Sequence, residues 1–467
     1  MTQAETDRLT NSGPGRGPQA RRVVRDEAPH DPALPGLQSL LSTEHMGAHL
    51  ATHLGRPVDS IKDFEISYVR YKPGTNCLVA YRIANGGSDE ILAYGKVYTE
   101  GDFDRAKLKE DAHRWVLAPG LPSSLILNKE RAILYFFPND CLLEGLRILS
   151  DSKKIQRLLY EWYDRYPEDI WRISDRRLRV TPVRYKPERR AVLRCETRAT
   201  HRQNGNWEPL TVYMRIYSDE RGENNFKLMK ALYEQKTENS DLSLPRPLGY
   251  LPARSLLMME GLPGVPFKEA QADRVDLKLH FRLGSALRAF HTLVAPELDR
   301  RSVEEIAAEA FSSAESLAEL VPELAAPIRE VQIRLKELTP ANSDDLNGLV
   351  HGDFHLGQAV VSDASMGIID FDRSYDGDQY ADLGELCAHL RLIEQPDGPD
   401  SALNEESAFL TGYEEAVGTT LDRGRLKYWT TLRMLSLAVS PFRRLEQHWR
   451  VKAREIIEKC SKLLIEK

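Results

Sequence analysis

The chain has 467 residues, 41% hydrophobic and 29% charged, with a formal net charge of −6. This length suits two or three folding units, and the mild acidity gives no reason to expect a nucleic-acid partner. The five cysteines (Cys77, Cys141, Cys195, Cys387, Cys460) are far apart without a CxxC pair, which argues against a disulfide framework or a cysteine zinc site.

Residues 1–36 are rich in Gly, Pro, Arg and Asp and lack a hydrophobic signal core, so they read as a disordered tail. The local basic cluster Arg21, Arg22 and Arg25 reads as solvated surface. No apolar run reaches the roughly 18 residues of a membrane span. A cytoplasmic protein without membrane contact is expected.

Helical spacing runs from Leu37 to Leu54, and Asp59-Ser60-Ile61 leads into strand-like sequence. Phe64–Tyr71 and Cys77–Ile83 read as strands joined by the turn Lys72-Pro73-Gly74-Thr75-Asn76, and Ile91–Tyr98 as a third. A similar order recurs: Val183–Arg190 echoes Val69–Asn76, Thr211–Tyr217 echoes Ala93–Tyr98, and Ser255–Gly261 parallels Ala132–Pro138. Three matches in one order point to a duplicated unit.

From Val275 onward the pattern turns helical, with Leu279, Leu283, Ala286, Leu287 and Phe290 as core and His291 as a structural residue at the helix end. Ser302-Val303-Glu304-Glu305 has the form of a capping box opening helical sequence toward Leu338. Leu349-Val350 then ends a strand, and Gly352 allows a tight turn into Asp353. Ala359–Val361 and Gly367–Ile369 pair as a hairpin around Ser362–Met366, with Gln358 and Asp370 at its open end. Asp353, Gln358 and Asp370 thus bring a carboxylate, an amide and a second carboxylate to one place, which suits metal-assisted phosphoryl transfer. His351 and His355 read as braces of this loop. Asp382 reads as a helix cap, and 403–467 as further helices.

His351-Gly352-Asp353 with Asp370-Phe371-Asp372 resembles the aminoglycoside phosphotransferase and choline kinase-like superfamily. The form His-Gly-Asp-x-His-Leu-Gly-Gln looks closest to maltokinase-like sugar or aminosugar kinases. The resemblance implies an α+β, protein-kinase-like bilobal fold: an antiparallel-sheet N-lobe and a mostly helical C-lobe, here preceded by an extra N-lobe-like domain. The implied division is 1–36 tail, 37–175 accessory repeat, 176–268 N-lobe and hinge, and 269–467 C-lobe.

It implies Asp353 as the catalytic base, Gln358 and Asp370 as ligands for Mg2+, and ATP as the phosphoryl donor to a small-molecule hydroxyl. The second repeat runs directly into the hinge, so short connections give it the nucleotide. Arg215 then stands where the family has lysine, with Glu223 as its expected partner, and Met259, Glu260 and Leu262 form the hinge. The first repeat retains Gly74 and Lys96, whereas the second has Glu188 in the turn. Seven acidic residues between Asp363 and Glu385 offer charge complementarity to a cationic acceptor. Arg215 and Glu188 also leave open a second reading, a non-catalytic kinase-like nucleotide-binding or regulatory protein.

Overall fold

The computed structural model describes residues 28–53, 55, 62–84, 90–112, 121–235, 241–272, 274–295, 297–340, 346–392 and 399–465. Arg21, Arg22, Arg25, most of the expected tail and Asp59-Ser60-Ile61 lie outside the described residues. The chain divides into two compact units: Met1–Ala112 with Leu125–Leu134 and Arg443–Trp449, and His113–Ser124 with Tyr135–Phe442 and Arg450–Lys467.

The first unit is built on β1 (Lys62–Lys72), β2 (Asn76–Ala84), β3 (Glu90–Tyr98), β4 (Ser124–Leu127) and β5 (Ala132–Phe136), in the sheet order β1-β2-β3-β5-β4. Apolar residues on β2, among them Cys77, Val79 and Tyr81, are fully buried. Residues 28–36, the last stretch of the expected tail, are packed here: Leu34 is buried, and Asp31 accepts from Gly74 N at 2.8 Å.

The second unit has β6 (Trp171–Ile173), β7 (Arg179–Lys186), β8 (Arg190–His201), β9 (Trp207–Tyr217), β10 (Leu242–Ser243), β11 (Pro247–Leu251) and β12 (Leu256–Glu260). Its sheet contains the neighbours β7-β8-β9-β12-β11, the same succession as in the first unit. The turns repeat in detail. Gly74 (φ 65°) and Glu188 (φ 59°) share the left-handed conformation. Tyr71 OH and Gly74 N donate to Asp31 at 2.9 and 2.8 Å, and Tyr185 OH and Glu188 N donate to Asp140 at 2.8 and 2.9 Å. Five residues after each aspartate a glycine meets a turn carbonyl. A Cβ on Gly36 would lie 2.1 Å from Glu130 O, and one on Gly145 2.3 Å from Arg254 O. The correspondence between the two units therefore extends further upstream than the three matched segments, to Asp31 and Asp140.

Two stability changes follow. Left-handed backbone costs an L-residue roughly 1–2 kcal/mol, so Glu188→Gly is expected to raise the chemical-denaturation midpoint. Asp140→Ala strands a buried tyrosine hydroxyl and backbone N–H groups, a loss on the order of 3 kcal/mol measured the same way.

Beyond this sheet the unit becomes helical. The helix Leu277–His291 buries Leu283, Ala286, Leu287 and Phe290, while Leu279 is only partly covered. Ser302 forms the expected capping box with Glu305. The helix it opens, Val303–Leu320, stops before Pro322, and Ala325–Glu337 follows as a second helix. Proline cannot extend a helix on its N-terminal side without losing a hydrogen bond, which explains two helices where one run was expected. Strand β13 (Val265–Pro266) pairs with β15 (Ala359–Val361), β15 pairs with β16 (Met366–Ile368), and β14 (Asn347–Val350) pairs with β17 (Tyr375–Asp378). The helices Tyr380–Leu392, Pro399–Val417 and Arg423–Leu437 complete the layer beneath. Among the described residues no helix is long and apolar enough to cross a membrane.

Candidate active site

The loop after β14 is held by a buried carboxylate. Asp382 accepts from His351 N at 2.6 Å and Gly352 N at 2.8 Å, and His291 Nε2 lies 2.9 Å away. Burial pushes the His291 pKa down, so the neutral ring donates to Asp382 and orders it. Asp382 thus has a different role from the expected cap. It sits in the first turn of Tyr380–Leu392, and it is Asp378 that accepts from Tyr380 N at 2.9 Å. Gly352 has φ 79°, and a Cβ there would meet Arg373 O at 2.2 Å. Only glycine fits that turn without strain.

The two loop histidines are braces. His351 Nε2 contacts Ile369 O at 2.9 Å, tying the loop to the end of the hairpin. His355 Nδ1 accepts from Gly357 N at 3.0 Å. Burial, aided by His389, pushes its pKa down to about 3, so it stays neutral near pH 7. The hairpin forms one residue out of the expected register: Met366 joins the second strand instead of the turn, Ile369 falls outside it, and Ala359 stands opposite Ile368. At its open end Ile369 N donates to Gln358 O at 3.0 Å, and Gln358 Nε2 donates to Asp370 Oδ2 at 3.3 Å. Asp370 itself has φ 73°, a strained backbone of the kind found at functional sites.

The sheet of the same unit presents cations to this end. Arg215 Nη1 reaches Asp370 Oδ1 at 2.9 Å and Asp372 Oδ1 at 2.7 Å. Arg190 Nη1 and Nη2 each reach Asp370 at 3.2 Å, and Nη1 also pairs closely with Asp372. Tyr217 OH and Asn225 Nδ2 donate to Asp372 Oδ1 at 2.7 and 2.6 Å. Burial alone would raise the Asp370 pKa, but Arg215 and Arg190 hold it well below the usual carboxylate range. Arg184 lies 3.8 Å from Asp370, and the charges of Arg184 and Lys186 feel both Asp353 and Asp370. Among the described residues Arg215 Nε is buried without a hydrogen-bond partner. A buried N–H without an acceptor is costly, and a bound anion would satisfy it.

The remaining sequence-derived residues divide. Asp353 has one ion-pair neighbour among the described residues, Arg373 at 3.8 Å. Met259 and Glu260 end β12, and Glu260 accepts from Tyr163 OH at 2.5 Å. A Cβ on Gly367 would meet Leu262 Cδ1 at 2.6 Å, so Leu262 packs on the hairpin. Glu223 is not the partner of Arg215. It is half exposed and pairs with Lys227 at 3.0 Å, one helical turn on. The arginine instead reaches the aspartates across the site. The acidic run is largely neutralised internally. Asp378 is held by Arg425 at 2.8 Å and Trp429 at 2.6 Å, and Glu385 by Arg433 and His389.

Arg190, Asp372, Tyr217 and Asn225 were not singled out by sequence. Arg190, Asp372 and Tyr217 lie inside motifs legible in the sequence, in the repeated turn, in Asp370-Phe371-Asp372 and at the end of Thr211–Tyr217, and carried that much signal.

Residues 194–426 match the phosphotransferase enzyme family (APH). Together with the antiparallel sheet and the helical part that follows it, this is the α+β, protein-kinase-like fold. Among solved structures, the chain is similar to choline kinase from Cryptosporidium parvum (11% identity, 67% of this chain and 95% of that one, TM-score 0.46). It is similar to a choline/ethanolamine kinase family protein from Mesorhizobium loti (15% identity, 68% and 95%, TM-score 0.42). It is also similar to amicoumacin kinase in complex with AMP-PNP, Ca2+ and Ami (15% identity, 66% and 96%, TM-score 0.44).

Proposed function

We propose that this phosphotransferase-family chain moves the γ-phosphate of ATP to a hydroxyl of a small molecule, a sugar, aminosugar or aminoglycoside-like compound. The observation that carries the reading is the convergence of Gln358 and Asp370 with Arg215 and Arg190, at the end of the hairpin that follows the loop holding Asp353. Asp353 takes the acceptor's hydroxyl proton as the new O–P bond forms. The bond from the γ-phosphorus to the β,γ-bridging oxygen breaks, and ADP leaves with that electron pair. Arg215 and Arg190 neutralise phosphate charge, with Met259, Glu260 and Leu262 beside the base of the nucleotide.

The donor set fits a divalent cation such as Mg2+. The Gln358 amide lies 3.3 Å from Asp370 Oδ2, so an amide turned end for end sets an oxygen beside a carboxylate. Among the described residues no group of three or more His, Cys, Asp or Glu could hold a metal. The protein would therefore give two donors and the nucleotide and water the rest, as magnesium prefers. When bound, the ion would offset charge on the transferring phosphoryl group. Gln358 and Asp370 would hold it, while Asp382 keeps the loop in place.

The second reading, a non-catalytic nucleotide-binding or regulatory protein, draws on one observation. Arg215 and Arg190 already pair with both Asp370 and Asp372. Equilibrium binding of Mg–ATP, followed by turnover across an acceptor panel, separates the two. Binding without turnover supports the second reading, and no binding at millimolar ATP sinks the kinase reading.

Lys186 adds a pH signature. Burial, then Arg184 and Arg190, holds its pKa down to about 8. Bound phosphates favour the charged form, so ATP binding takes up a proton above that pH. Affinity should be flat below pH 8 and fall by up to about tenfold per pH unit above it. Calorimetry in buffers of different ionisation enthalpy reads the proton directly. Proton release, or affinity that is level to pH 9.5, contradicts the assignment.

A further inference from the structure

Beside Gly352 lies a cavity of about 30 Å3 whose lining includes Arg301, Glu309, Arg373, Glu385 and Arg433. Three guanidiniums face two carboxylates, and both carboxylates are committed. Glu309 pairs with Arg301 at 2.6 Å, and Arg301 also stacks over the Tyr375 ring at 5.4 Å. Glu385 pairs closely with Arg433 and lies 3.1 Å from His389. That leaves two donors unmatched. Among the described residues Arg373 has only a long contact, 3.8 Å to Asp353, and Arg433 Nε is buried without a hydrogen-bond partner.

A volume of this size holds about two water molecules, which is the room that two oxygens of an oxyanion need. A buried guanidinium N–H with no acceptor costs free energy that an ionised oxygen would recover, and charge-assisted bonds to arginine are the strong ones. A cationic group would instead meet a cavity in which three guanidiniums outnumber two carboxylates. The cationic acceptor suggested by the acidic run in the sequence loses most of its basis, because Asp370, Asp372, Asp378 and Glu385 are already paired with arginines.

We propose that the acceptor carries an anionic group, a phosphate or a carboxylate, which seats between Arg373 and Arg433 with Arg301 at the rim, while a hydroxyl of the same molecule meets Asp353. This rests on the kinase reading above for the identity of the ligand as acceptor, but the anion site itself does not require turnover. Arginine suits the task because its planar fork matches two oxygens at once.

The full-length chain is titrated with inorganic phosphate and with acetate, with the nucleotide site filled by AMP-PNP and magnesium. The wild type should bind at least one of the two, and Arg373→Gln should weaken that binding at least about tenfold. Arg373 is largely exposed, so this variant should keep the wild-type unfolding midpoint. Phosphate binding alone points to a phosphorylated acceptor and acetate binding alone to an acid. Turnover is then compared across glucose, glucosamine, glucuronate and glucose 6-phosphate. The ratio of anionic to neutral kcat/KM should exceed one and should fall in Arg373→Gln. The proposal is overturned if neither anion binds, if both proteins bind equally, or if glucosamine or glucose is the better acceptor. If AMP-PNP does not bind, the kinase reading fails, while the anion titration still decides the cavity.

Discussion

Replacing Asp353 by Asn should lower kcat by about 10²–10⁴-fold, the usual contribution of a general base, while leaving Mg–ATP affinity within a few-fold. The substitution keeps the size and shape of the side chain and removes only its ability to take the proton. The loop around it is fixed independently. Asp382 accepts from His351 N and Gly352 N, and His351 reaches Ile369 O. An effect on kcat with binding intact therefore reports chemistry and not collapse of the loop. Single-turnover measurement of the phosphorylated product, beside equilibrium binding of the nucleotide, separates the two quantities. Equal kcat in the two proteins would remove Asp353 from the reaction.

The catalytic hairpin was legible because its information is local. Two short apolar runs, a polar turn and the positions of Gln358 and Asp370 define its pairing to within one residue, without reference to the rest of the chain. The duplicated unit was legible in part, through matching strands and turns. Its anchoring aspartates were not, since Asp31 and Asp140 lie 43 and 48 residues from the amides they accept from. The same distance in sequence hid the partner of Arg215. A nearby helix glutamate, Glu223, was the expected choice, but packing brings Asp370 from 155 residues away. Asp382 looked like a helix residue, and only the fold shows that its oxygens face a loop 30 residues upstream. Charge counting was least reliable. The acidic run is visible in sequence, whereas the arginines that neutralise it, Arg425 and Arg433, come from a helix further along the chain.

Arg215 is where the fold and the chemistry are both most sensitive. Its side chain is 7% exposed and pairs with two carboxylates that are themselves nearly buried. Arg215→Met removes the cation and leaves Arg190 to answer both charges. Breaking a buried pair from one side costs about 3–5 kcal/mol, so the denaturation midpoint should drop sharply at pH 7. The loss should shrink in acid. Asp370 has a folded-state pKa held below its unfolded value near 3.9. The stability it contributes is therefore fully present above about pH 4, and drains as pH falls toward the folded-state value. Wild type and variant should converge over that range. Arg215→Lys separates structure from chemistry. It keeps the charge but loses the fork that spans Asp370 and Asp372, so stability should fall by less than in Arg215→Met. A working phosphotransferase should tolerate the lysine, because a point charge also neutralises phosphate, and its kcat should remain within about tenfold of wild type. If Arg215 serves only to lock the aspartates, both variants should bind Mg2+ without nucleotide better than the wild type, and neither should alter ATP affinity. Manganese titration followed by electron paramagnetic resonance, with and without AMP-PNP, distinguishes a phosphate contact from a lock.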